Sequence, residues 1–125
     1  MLEVYSLFID VDPNAAIPLN NVVIEKGCTA TLSAPATIQL NKAGVYMVSV
    51  DASSTESATI QLYKDGVPLP QAQSTGMAIG FTTLIQVQSN NSNCPCSSPT
   101  ILQLTNTGEA AATYDNVNVV VTKVC

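Results

Sequence analysis

Two stretches, Gly44-Val45-Tyr46-Met47-Val48-Ser49-Val50-Asp51 and Ala58-Thr59-Ile60-Gln61-Leu62-Tyr63-Lys64-Asp65-Gly66, constrain this chain more than any others. Each alternates apolar and polar residues. Successive side chains of a β-strand point to opposite faces, so a period of two marks strands that lay one face on a core. Two such strands are not stable alone in water and need further sheet to cover them. The polar segment Ala52–Ser57 between them has hairpin-loop character, and the second stretch runs into the turn dipeptide Asp65-Gly66.

The rest of the chain supplies that sheet. Strand signals recur at Asn21–Glu25 (followed by a Lys26-Gly27 turn), Thr37–Leu40, Met77–Gln88, Thr100–Thr105 and Val117–Val124. In the Met77–Gln88 run, Phe81, Thr83, Ile85 and Val87 share one face and Thr82, Leu84, Gln86 and Gln88 the other, with Gly80 expected to mark a bulge or break. Pro68 and Pro70 confine Val67–Pro70 to an edge or a loop, because proline donates nothing to a ladder. Amphipathic helix, internal repeat and low-complexity linker are all absent from the pattern. About eight short strands at this spacing predict an all-β, antiparallel two-sheet sandwich or barrel. Pro13 and Pro18 interrupt a less regular start, so residues 1–18 are expected to form an N-terminal arm and residues 19–125 the folded domain.

At 125 residues the chain is one domain's worth of material and long enough to bury a core without staples. Charged residues make up 10%, against about 25% in an average domain. The surface is therefore neutral and polar, as suits an extracellular or permanently assembled protein. Four scattered lysines (Lys26, Lys42, Lys64, Lys123), no arginine and a net charge of −5 argue against nucleic acid and against an anionic membrane surface, both of which need clustered cations. No apolar run approaches the roughly 20 residues that span a bilayer, so no membrane insertion is expected. Met1-Leu2-Glu3-Val4-Tyr5 lacks the basic start of a secretory leader. The expected route out of a cell is lysis or assembly into a particle.

The sequence contains no histidine, which removes the usual general base and the Ser-His and Cys-His pairs. Asp10 and Asp12 are the nearest pair of carboxylates, but their segment lacks the central glycine and terminal glutamate of a calcium loop and reads as a proline-containing turn. No catalytic residue, cofactor or metal ligand is assigned. Four cysteines, Cys28, Cys94, Cys96 and Cys125, carry the remaining chemistry. One proline between Cys94 and Cys96 fits zinc spacing poorly and hinders a bond between neighbours. Disulfides from Cys28 and Cys125 to the loop cysteines are the expectation; four cysteines allow three pairings, and zinc and free thiols stay open. Asn90-Asn91-Ser92 is a formal glycosylation sequon, read as chance, and Gly76–Gly80 reads as a strand entry, not a phosphate loop.

In their order, Ile38-Gln39-Leu40-Asn41-Lys42-Ala43-Gly44-Val45-Tyr46, Ile60–Gly66 and Leu102-Gln103-Leu104-Thr105-Asn106-Thr107-Gly108 resemble the C1q/TNF-like jelly-roll family. Within it, the chain looks most like the bacterial and phage branch related to the C-terminal domain of spore-surface collagen-like glycoproteins. The resemblance spans roughly residues 18–125, without the collagen-like Gly-X-Y stalk that many relatives carry upstream. It implies a ten-strand-type, two-sheet jelly roll assembled as a homotrimer, with one sheet of each subunit facing the threefold axis. Apolar residues in both phases of the strands then mark a second buried face. Tyr46, Val48 and Val50, with Val120 and Val124, are the expected trimer-interface residues.

Together these readings point to a non-enzymatic structural protein on the exterior of a bacteriophage virion, as a head decoration or fibre knob. Residues 1–18 would attach it to other virion proteins. The loops Ser53–Ser57, Val67–Gly76 and Ser89–Pro99 would offer an adhesive surface to a host glycan or protein. Two other readings stay open: a trimer on a bacterial cell or spore surface, and a lectin-like module, although the absence of tryptophan counts against sugar stacking.

Overall fold

The computed structural model describes residues 1–27, 30–34, 36–87 and 100–124. Among these residues eight strands follow one another: β1 (Leu2–Val11), β2 (Asn21–Glu25), β3 (Ala30–Ala34), β4 (Thr37–Leu40), β5 (Gly44–Lys64), β6 (Val67–Val87), β7 (Thr100–Asn106) and β8 (Ala112–Lys123). All pairings are antiparallel, in the order β2-β1-β8-β5-β7-β4-β3, with β6 alongside β5.

The two stretches that open the sequence reading are one strand. Residues expected to loop back between them continue instead, and β5 runs for 21 residues through both halves of the fold. Its first half, Tyr46–Ser54, pairs with β8, and its second half, Ile60–Lys64, pairs with β7. The chain reverses only at Asp65-Gly66, where both residues have positive φ (51° and 83°), as a two-residue hairpin turn requires. β6 then retraces the whole length of β5.

A bulge makes the corner between the halves. Ser53 faces Ala78 and Ala58 faces Gly76, so Ser54–Ser57 oppose Met77 alone. The Ser54 hydroxyl closes the bulge on the Glu56 carbonyl. Long strands change sheet through such irregularities. The result is two layers: β2-β1-β8 with the first half of β5 and the second of β6, and β3-β4-β7 with the remaining halves. Gly80 keeps its register opposite Asp51, so the break expected there lies at Gly76 (φ 146°).

Residues 1–18 are not an arm. Leu2 and Val4 are fully buried, and β1 lies between β2 and β8. The alternation Leu2, Val4, Ser6 is a strand signal that Phe8 interrupts: at φ 54° it leaves the pleat, 78% exposed. Beyond β1 the chain crosses to the second sheet, where Ile17 and Leu19 are buried and Ile17 donates its amide to the Leu104 carbonyl. No domain boundary falls at residue 18. The core gathers Tyr46, Val48, Val50, Ile60, Leu62, Leu102, Leu104, Tyr114, Val119 and Val121, all at most 2% exposed.

Candidate functional site: the outward face of the first sheet

The first half of β5 sets the chemistry of this face because β6 and β8 flank it. Inward, Val48 meets Thr83 and Val121, and Val50 meets Phe81 and Val119. Tyr46 is enclosed with its hydroxyl donating to the Lys42 carbonyl at 2.7 Å. Tyr46, Val48 and Val50 are each 0% exposed in the single chain. They have no surface left for a partner, so these expected interface residues belong to the subunit's own core.

The opposite phase faces outward. Met47 lies between Leu84 and Thr122, Ser49 between Thr82 and Val120, and Asp51 between Gly80 and Asn118. Leu84 is 61% exposed, Met47 36% and Val124 48%, with Val45 and Val120 half-buried beside them. Val124 is held at this end by its amide, which donates to the Val45 carbonyl at 2.8 Å. Val120 and Val124, unlike Tyr46, Val48 and Val50, lie on the accessible side of the sheet. The missing signal was in plain view: Ser49 and Asp51 share the phase of Val45 and Met47, and a charge in that phase marks it as the outward one.

Away from this apolar end the same face turns polar. Asp51, Ser53, Asn116 and Asn118 border a depression of about 560 Å³ whose other flank is Ala78 and Gly80. A Cβ placed on Gly80 would lie 3.1 Å from Asp51 Oδ1, so the glycine makes room for that carboxylate. Asn118 Nδ2 donates to Glu3 Oε2 at 3.1 Å.

The remaining candidates do not assemble into a site. Asp10 accepts from the Thr113 hydroxyl at 2.6 Å, and Asp12 belongs to a turn closed by the Ala15 amide. Among the described residues no group of three metal-binding side chains comes together. Cys28, Cys94, Cys96 and Cys125, the Ser89–Pro99 loop and the sequon lie outside the described residues. Val67–Gly76, expected as a loop, is part of β6, with its prolines on the edge strand. Two phenols are perturbed. Burial pushes Tyr114 up, and burial outweighs the Lys42 hydrogen bond to push Tyr46 up as well.

No family model matches the chain, and no curated protein matches it. Solved structures do. The PRD1 vertex protein P5 superposes with a TM-score of 0.64 at 19% identity, covering 99% of this chain and 96% of that one. The globular domain of zebrafish complement 1qA gives 0.68 at 9% identity, over 95% and 94%. Rabbit GITRL gives 0.58 at 8% identity, over 100% and 95%. The chain has the C1q/TNF-like jelly-roll fold.

Proposed function

We propose that this protein is a non-enzymatic structural module on the exterior of a bacteriophage particle, a head decoration or fibre knob that works as a homotrimer. The observation that carries the virion reading is the likeness to the PRD1 vertex protein P5, which extends over nearly the whole of both chains. The trimer rests on the resemblance to the family and on the outward apolar end of the first sheet. Val45, Met47, Leu84, Val120 and Val124 put aliphatic surface at one place on the outward face of the first sheet, while Phe8, Val22, Val23, Val67 and Met77 are exposed elsewhere. Exposed patches of this kind on a soluble chain mark association.

The mechanism is passive. Burying those side chains between subunits stabilises the assembly by about 25 cal/mol per Å² of apolar surface, before the entropic cost of association. With β1 built into the sheet, contact with the rest of a particle falls to the accessible parts of residues 1–18, chiefly Phe8.

Two measurements test the reading. Light scattering under reducing and non-reducing conditions should give about three times the chain mass of 13.1 kDa in both. A monomer in both sinks the trimer, and a difference between them shows that cysteines join subunits. Mass spectrometry of purified virions should find the protein, and its absence there defeats the virion assignment.

A further inference from the structure

Four polar side chains form a square at the corner end of the first sheet. Asp51 and Ser53 stand two residues apart on β5, and their cross-strand neighbours on β8 are Asn118 and Asn116. Adjacent strands lie about 4.8 Å apart and alternate residues about 6.8 Å, so the square is comparable in size to one pyranose ring. The side chains of Asp51, Ser53 and Asn116 make no hydrogen bond to another described residue, and the Asn118 amide nitrogen is already given to Glu3. The square therefore offers a carboxylate and an amide oxygen as acceptors, and a hydroxyl and a second amide that both give and accept.

The flanks are apolar or small. On β1, Leu7 faces Asn116 and Tyr5 faces Asn118, while β6 brings Ala78 and Gly80 against Ser53 and Asp51. Met77, 55% exposed, stands at the corner beside Ala78. A few placed polar groups between apolar walls is the general form of a small-ligand site.

We propose that this depression binds a neutral saccharide through vicinal hydroxyls, with the ring's C–H surface against Leu7 and Tyr5. Hydroxyls both donate and accept, which the mixed square requires. Charge decides against acidic sugars and phosphates: Asp51 sits in the depression without a lysine beside it, on a chain of net charge −5. Met47, in the apolar end, is four residues from Asp51, about 13 Å along the strand. Val120 is only two residues from Asn118, about 7 Å away, so the site adjoins the apolar end there and lies clear of its Met47 and Leu84 part. It adds a ligand to the structural role and does not depend on the trimer.

The test is an array of immobilised glucose-, galactose-, mannose- and N-acetylglucosamine-terminated oligosaccharides beside sialylated and uronate-bearing ones, probed with the full chain. One or more neutral arms should bind. Asp51→Ala and Asn116→Ala should each weaken that binding at least about tenfold, and Gly80→Val, which fills the depression, should abolish it. All three should keep the light-scattering mass and circular dichroism of the parent. Binding in no neutral arm, binding confined to acidic arms, or binding that all three variants leave unchanged would overturn the proposal. A Leu84→Glu variant that is monomeric yet still binds would separate this inference from the fate of the trimer.

Discussion

Asn106 and Val11, 95 positions apart, are joined inside the fold: the buried Asn106 amide donates to the Val11 carbonyl at 3.1 Å. The same amide reaches the Asp12 and Ala110 carbonyls, and its oxygen accepts from the Gly108 amide at 3.1 Å. The Asn106 backbone adds bonds to Asn14 and Ala15. The side chain thereby fixes the end of β1 and the turn that leads into β8, and the backbone of the same residue holds the crossover behind β1.

Asn106→Ala should therefore be among the most destabilising single changes. It strands several buried polar groups at once, each worth about 1–3 kcal/mol when left unpaired. A loss of about 3 kcal/mol in urea unfolding is expected, with Asn106→Asp no better because a carboxylate cannot donate to the three carbonyls. A loss under about 1 kcal/mol would show that water replaces the amide.

Tyr114 and Tyr46 are both fully buried but differ at the hydroxyl. Among the described residues Tyr114 Oη has no partner, whereas Tyr46 Oη donates to Lys42. Tyr114→Phe should be neutral or stabilising by up to about 1 kcal/mol, and Tyr46→Phe should cost about 1 kcal/mol. Equal effects in thermal or chemical unfolding would contradict the assignment.

The same phenols give an alkaline limit. Unfolded, both ionise near the ordinary value of about 10, while in the folded chain burial holds their protons to higher pH. Above about pH 10 the unfolded state binds fewer protons than the native one, so stability falls as pH rises through that window and is intact below it. Tyr114→Phe should flatten the fall in a stability profile measured from pH 8 to 12. A profile identical to the parent's rejects Tyr114 as a source.

The period of two made most of the sheet legible, but period alone does not say which phase points in. At Val45–Val50 both phases are apolar, and only Ser49 and Asp51 break the tie. At β1 the reading failed for a different reason. Phe8 in a left-handed conformation shifts the phase, and β8 shifts with it at Asp115 and Asn116, both exposed. A phase slip shared by two strands is a tertiary agreement that a single segment does not display. The join of the opening stretches failed on length: Ala52–Ser57 is polar enough for a loop, yet it is the bulged corner of a strand that serves two sheets. The polar square was unreadable because it pairs residues on β5 with others more than 60 positions away on β8.

The phase assignment at β5 has its own test in a pair of neighbours. Val48→Ala removes buried methyls and should cost about 2 kcal/mol of subunit stability, whereas Met47→Ala should stay within about 0.5 kcal/mol. Oligomeric mass should respond the other way. Met47→Glu or Leu84→Glu should lower the mass to that of one chain, by putting a charge in the proposed subunit contact. A trimer indifferent to both glutamates would move the interface off this face.

Phe8 is the position where stability and retention of the residue disagree. A bulky side chain at positive φ carries strain of roughly 1–3 kcal/mol, and at 78% exposure the ring recovers little of it by burial. Phe8→Gly removes the side chain that makes φ 54° costly, and Phe8→Asn tolerates it better than Phe does. Both variants should unfold at higher denaturant than the parent, by about 0.5–1 kcal/mol. If the ring is kept for contact with the particle, the same variants should lose incorporation into virions while gaining stability. Lower stability in both would mean that Phe8 holds the phase slip of β1 and β8 in place, and that its role is internal to the fold.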